Sequence, residues 1–223
     1  MYYHPQNNKM KLKDLPVIIA PAPLAVFLSS LLTIFLVKLG DSSYILVSFL
    51  TPTSPKSAVF SGFFFTMTLI TVVASFLGGL LAYLVPALWI RAISGIIFFI
   101  LSIASFYQAF FITVKSSEEQ MEPFISDQNW RKTFKKTGSR IFATSWYEKP
   151  ILAVLMLSAL GYPFYVALGA VAAYAALGIL AVFIGGSLKD QVSVRLSQIL
   201  SGVIYLLWAI VVLILGVIFI RTL

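Results

Sequence analysis

The feature that most constrains this chain is the length of its charge-poor runs. Between Pro21 and Ile220 there are about six, each near the ~20 mostly apolar residues that a helix needs to cross a bilayer. Hydrophobic residues make up 60% of the 223, and charged residues 11%, against roughly 25% in soluble domains. One soluble core of this size does not hide so much apolar surface. The sequence therefore predicts an all-α integral membrane protein with six transmembrane helices and the lipid bilayer as its main partner.

Residues 1–14 form a polar, basic tail, residues 15–114 a first membrane unit, 115–140 a hydrophilic linker and 141–223 a second membrane unit. Lys9, Lys11 and Lys13 precede an apolar run that outlasts the core of a cleaved signal peptide, so it is read as the first span. That span reaches about Leu50 and is interrupted from Lys38 to Ser43. Thr51-Pro52-Thr53-Ser54-Pro55 and Gly161-Tyr162-Pro163 read as turns, and Pro86 opens the third span. The fourth span is expected over Ile141–Leu160, with a short surface helix allowed in the linker.

The net charge is +8 and there is no cysteine. Disulfides and thiolate chemistry are excluded. No nucleic-acid-binding motif accompanies the positive charge, which suits topology signals and anionic lipid head groups better. The loop charges favour a cytoplasmic linker, although the basic tail argues the other way. His4 lies in the polar tail and reads as solvated. The expected site of residence is the cell membrane. No nucleophile–base pair or phosphate loop suggests an enzyme.

The two membrane units are related in sequence. A shift of 107 residues, without a gap, superposes Gly62 on Gly169, Gly78-Gly79 on Gly185-Gly186 and Ser94-Gly95 on Ser201-Gly202. Small residues let helices approach closely in lipid, but that does not explain why they recur at one offset. With three spans per unit, the second copy enters from the opposite side, giving two inverted three-helix repeats.

Four charges fall inside apolar runs: Lys38, Asp41, Glu148 and Lys149. Charged groups within a membrane face protein or water, not lipid. The 107-residue shift puts Asp41 on Glu148. Lys38 and Asp41 share a helix face, Gly40 loosens the chain between them, and Pro150 bends the chain after Lys149. Ser42, Ser43, Thr144 and Ser145 add hydroxyls. The expected arrangement has Asp41 and Glu148 close together, with Lys38 and Lys149 as partners. One reading is an ion or proton pathway. The other is a pair of neutralising ion pairs that hold the halves together.

Leu36-Val37-Lys38-Leu39-Gly40-Asp41-Ser42-Ser43 and Ser145-Trp146-Tyr147-Glu148-Lys149-Pro150 resemble the twin Glu-x-Gly-Asp-(Lys/Arg)-(Ser/Thr) motifs of the Gdt-type cation/proton exchangers of the lysine-exporter superfamily. That resemblance covers about residues 20–215 and implies six spans in two inverted halves, and exchange of Mn²⁺ or Ca²⁺ against protons. It makes Asp41 and Glu148 the metal-binding pair, and places Lys38, Lys149, Gly40, Ser43 and Ser145 along the ion pathway, with no cofactor beyond the transported ion. The motifs are altered here. Lys38 and Ser145 stand at the motif glutamates, Ser42 at the first basic position and Pro150 at the second hydroxyl. An ammonium among hard oxygen ligands repels a divalent cation and competes for the carboxylates. Two readings follow: a secondary transporter of altered specificity, or a non-transporting subunit that keeps the fold. A second copy of the chain or a larger membrane complex stands open as partner.

Overall fold

A computed structural model of the chain describes residues 23–39, 41–111, 129–146, 148–188 and 194–221. The N-terminal tail, most of the linker and the 189–193 loop lie outside the described residues, as do Gly40 and the surroundings of Gly185–Gly186. Among the described residues there are eight α-helices and no strands: α1 (Pro23–Lys38), α2 (Ser42–Leu50), α3 (Lys56–Leu84), α4 (Ala87–Phe111), α5 (Trp130–Ser145), α6 (Lys149–Ala159), α7 (Pro163–Leu188) and α8 (Val194–Arg221).

Proline and glycine punctuate these helices as their chemistry requires. Pro55 sits just ahead of α3 with φ −56° and ψ 114°. Val85 is extended because the following Pro86 disfavours helical geometry before it. Gly161 (φ 136°) and Tyr162 (φ 54°) turn the chain between α6 and Pro163. Asn129 caps α5, its side chain accepting from the Arg131 and Lys132 amides at 3.1 and 3.5 Å.

Four segments, Lys56–Leu84, Ala87–Phe111, Pro163–Phe183 and Arg195–Val217, are long and apolar enough to cross a membrane. Their outer faces carry exposed Phe65, Phe76, Ile100, Phe110, Phe183 and Leu207. In water such a belt would be a liability; against acyl chains it is the favourable surface. α1–α2 and α5–α6 are shorter helices separated by breaks at residues 39–41 and 146–148.

A fourth span was expected from Ile141; the helix that carries Ile141 begins at Trp130. α5 is amphipathic. Arg131, Lys132, Lys135 and Lys136 lie off its buried face, while Thr133, Thr137, Ile141 and Ser145 form a buried stripe four residues apart. That stripe lies against α3, where Thr66 donates to Gly138 O at 3.4 Å.

Each helix of the second half begins 107 residues after its counterpart: Pro23 and Trp130, Ser42 and Lys149, Lys56 and Pro163, Ala87 and Val194. The packing is exchanged between the halves. α1 and α2 lie on α7, α5 and α6 lie on α3, and α4 lies along α8. A Cβ on Gly62 would come within 2.9 Å of Phe134 O, and one on Gly169 would collide with Phe27 O, the equivalent atom of the other half. A Cβ on Gly95 would likewise come within 2.7 Å of the Leu213 side chain, and one on Gly202 within 3.0 Å of the Phe106 ring. Each half therefore seats the broken helix of the other. The core between them is built from Ile34, Val37, Val47, Phe63, Met67 and Ile70 against Ala170, Ala173 and Leu177.

Candidate functional site

The two breaks have the same local geometry. Asp41 N–H donates to Lys38 O at 3.1 Å, and Glu148 N–H donates to Ser145 O at 3.1 Å. Each break thus closes one tight turn and sets a carboxylate-bearing residue just ahead of the next helix, α2 or α6. Gly40 and Tyr147, the middle residues of the breaks, lie outside the described residues.

Lys38 ends α1 and is wholly buried. Its Nζ donates to Asp41 Oδ2 at 2.8 Å and to Glu148 Oε2. Ser43 Oγ donates to the other oxygen of Glu148 and lies 3.5 Å from Ser145 Oγ. Ser145 Oγ in turn points to Met67 Sδ at 3.4 Å. The Glu148 side chain is 7% exposed and that of Asp41 18%, so Asp41 is the more open end of the cluster. A buried ammonium without partners would be strongly unfavourable; here two carboxylates from two different breaks meet it. Ser201 Oγ donates to Val37 O at 3.2 Å, which fastens α8 to the last turn of α1 beside Lys38.

The structure thus brings together Lys38, Asp41, Ser43, Ser145 and Glu148. Lys149 is arranged differently from the expected pairing. Its Nζ donates to Ser105 Oγ on α4 and to Gln198 Oε1 on α8, both at 2.9 Å. It remains within electrostatic reach of Asp41. Among the described residues no group of three or more His, Cys, Asp or Glu side chains forms a metal cage. The acidic part of the site is the Asp41–Glu148 pair, with an ammonium between them.

Sequence reasoning missed several contributors. Gln198 and Ser105 hold Lys149 from positions 49 and 44 residues away. Among the described residues, four wholly buried side chains, Thr71, Thr137, Tyr174 and Tyr205, carry hydroxyls with no hydrogen-bond partner, and three of them, Thr71, Tyr174 and Tyr205, lie on the long apolar helices. A tyrosine inside an apolar span was the available signal, since a buried phenol normally finds a partner.

Comparison with known proteins shows the family. The family model described as "Divalent cation/proton antiporter GDT1" matches residues 26–112 and 133–217. The chain is 27% identical to "GDT1-like protein 5" of Oryza sativa subsp. japonica, covering 86% of this chain and 95% of that protein. It is 25% identical to "GDT1-like protein 4" of Arabidopsis thaliana, covering 82% and 93% respectively. With "Protein PAM71, chloroplastic" of Arabidopsis thaliana it shares 24% identity over 82% of this chain and 55% of that protein. No solved structure matches it. The two matched blocks take in both breaks and all four long apolar segments, and the family consists of transporters and not enzymes. This chain is an integral membrane protein that belongs to the GDT1 divalent cation/proton antiporter family.

Proposed function

We propose that the chain exchanges a cation for protons by alternating access, with Asp41 and Glu148 taking the two in turn. α1–α2 and α5–α6 then serve as two broken spans, giving six spans in two inverted halves, with the carboxylates near mid-membrane where the halves meet. The observation that carries this reading is the ion cluster itself. One carboxylate from each break converges on a single cation, the Lys38 ammonium. The exchanged contacts of Gly62 with Phe134 and of Gly169 with Phe27 support the two-fold relation of the halves. Broken helices that meet at the interface between repeats are the usual place for a transporter's ion site.

The Mn²⁺ or Ca²⁺ chemistry implied by the family resemblance would use these same oxygens, with Lys38 as a built-in competitor for them. The opposing reading, a non-transporting subunit tied together by Lys38, rests on the same ion pairs.

The test is cation-driven proton movement in proteoliposomes of purified protein that contain a trapped pH-sensitive dye. Wild type is expected to move protons in response to an imposed cation gradient, and Asp41→Asn and Glu148→Gln to abolish the response. A folded wild type that moves no protons with any cation would overturn exchange and favour the subunit.

A further inference from the structure

Beside the ion cluster lies a wall of hydroxyls that no contact explains. Tyr174 on α7, Tyr205 on α8 and Thr71 on α3 are each fully buried, and none of their oxygens has a hydrogen-bond partner among the described residues. The Tyr174 and Thr71 hydroxyls lie side by side but outside good hydrogen-bonding geometry. Tyr174 is within electrostatic reach of Lys38, Glu148 and Asp41. Tyr205 is within reach of Asp41, Glu148 and Tyr174. The rings are fixed from outside the cluster. Phe63 meets Tyr174 edge-on at 6.3 Å, and Phe98 stacks on Tyr205 at 6.3 Å. Buried hydroxyls are rarely left unsatisfied, so several in one place mark where something else binds.

The charge around them limits what that is. Lys38 and Lys149 balance Asp41 and Glu148, so the four side chains together carry no net charge. An added ion therefore brings uncompensated charge into a buried site. The penalty grows with the square of the ion's charge, so it is about fourfold larger for a divalent than for a monovalent ion of equal size. Hydroxyls give a cation oxygen ligands without adding negative charge, whereas tight Ca²⁺ sites are built by raising the ligand charge count.

We propose that Thr71, Tyr174 and Tyr205, together with the Asp41 and Glu148 carboxylates, form the binding site of a monovalent alkali cation, and that Lys38 turns the site away from divalent ions. This rests on the reading of the chain as a cation exchanger and names the substrate class of that same site. The three hydroxyls act as neutral ligands. Lys38 holds one oxygen of each carboxylate and sets how much negative charge is left for the ion.

The experiment has a binding arm and a transport arm. In detergent, the melting temperature of the purified full chain is followed against LiCl, NaCl and KCl, with choline chloride at equal ionic strength and MnCl₂ and CaCl₂ in parallel. At least one alkali chloride is expected to raise it above choline chloride at lower concentrations than MnCl₂ or CaCl₂ require. Tyr174→Phe and Tyr205→Phe are each expected to weaken that response roughly tenfold. Their melting temperatures without ion show that they fold, and Thr71→Val serves where a tyrosine variant does not.

Stabilisation by Mn²⁺ or Ca²⁺ ahead of every alkali ion would overturn the inference and leave cation/proton exchange standing. Equal stabilisation by choline chloride would overturn it in favour of chloride. Folded variants with unchanged alkali responses would remove the hydroxyls from the site and overturn it too. In the transport arm, alkali binding without alkali-driven proton movement would overturn the exchanger reading and leave the site itself standing.

Discussion

Lys38 and Glu148 form an ion pair across 110 residues of sequence, and each lies at the break of a different discontinuous helix pair. The contact joins the two halves at equivalent breaks, 107 residues apart. The motif resemblance puts Lys38 where a glutamate is expected, so on the proposed reading the exchange both removes an acidic ligand and supplies a resident cation.

Reversing that substitution should change the ion the site accepts. Lys38→Glu leaves three carboxylates around the space now held by the ammonium. Uptake of Mn²⁺ or Ca²⁺ into proteoliposomes should rise about tenfold over wild type, because divalent affinity follows ligand charge. Robust divalent uptake by wild type, with no gain in Lys38→Glu, would show that Lys38 is not an electrostatic block.

Removing the ammonium without replacing it should weaken the fold. Lys38→Met leaves Glu148, buried at 7% exposure, without its lysine. Breaking a buried pair from one side costs about 3–5 kcal/mol. The variant should melt earlier than wild type in ion-free detergent and recover when a cation is added. Melting that matches wild type without ion would mean that the pair contributes little.

The exchanged glycine contacts make a paired prediction. In Gly62→Ala the new methyl presses on Phe134 O, and in Gly169→Ala on Phe27 O, both backbone atoms that cannot rotate away. Each variant should lose about 1–3 kcal/mol of stability through overpacking, the second more than the first. Thermal or detergent denaturation measures it. A neutral result at both positions would show that the helices are not held so close.

Much of this was legible in sequence because it depends on local chemistry. Proline and glycine placed the turns at residues 51–55 and 161–163 and the break after Lys38. The 107-residue offset, read from coincident glycines, reappears in the helix starts. The convergence of Asp41 and Glu148 followed from charges that lipid would not accept. What escaped depended on side-chain direction. The start of α5 was hidden because Arg131, Lys132, Lys135 and Lys136 look like a solvated linker when counted. Only the four-residue spacing of Thr133, Thr137, Ile141 and Ser145 reveals a buried stripe. Lys149 was assigned a carboxylate because charge suggested one, while Gln198 and Ser105, distant in sequence, supply neutral acceptors. Tyr174 and Tyr205 were invisible to the repeat itself, since the 107-residue shift pairs them with Met67 and Phe98, which bear no hydroxyl.

The exchanged packing has a consequence for how such a chain arose. When residue i of one half touches residue j of the other, and the equivalent of j touches the equivalent of i, the contact set is that of a two-fold homodimer. Phe27 with Gly169 and Phe134 with Gly62 are such a pair. A half-length ancestor carrying one broken helix and one glycine seat would already hold both sides of the interface and close it with a second copy of itself. Fusion of two such copies would free each side to diverge, so that one break could carry Lys38 while the equivalent position of the other carries Ser145.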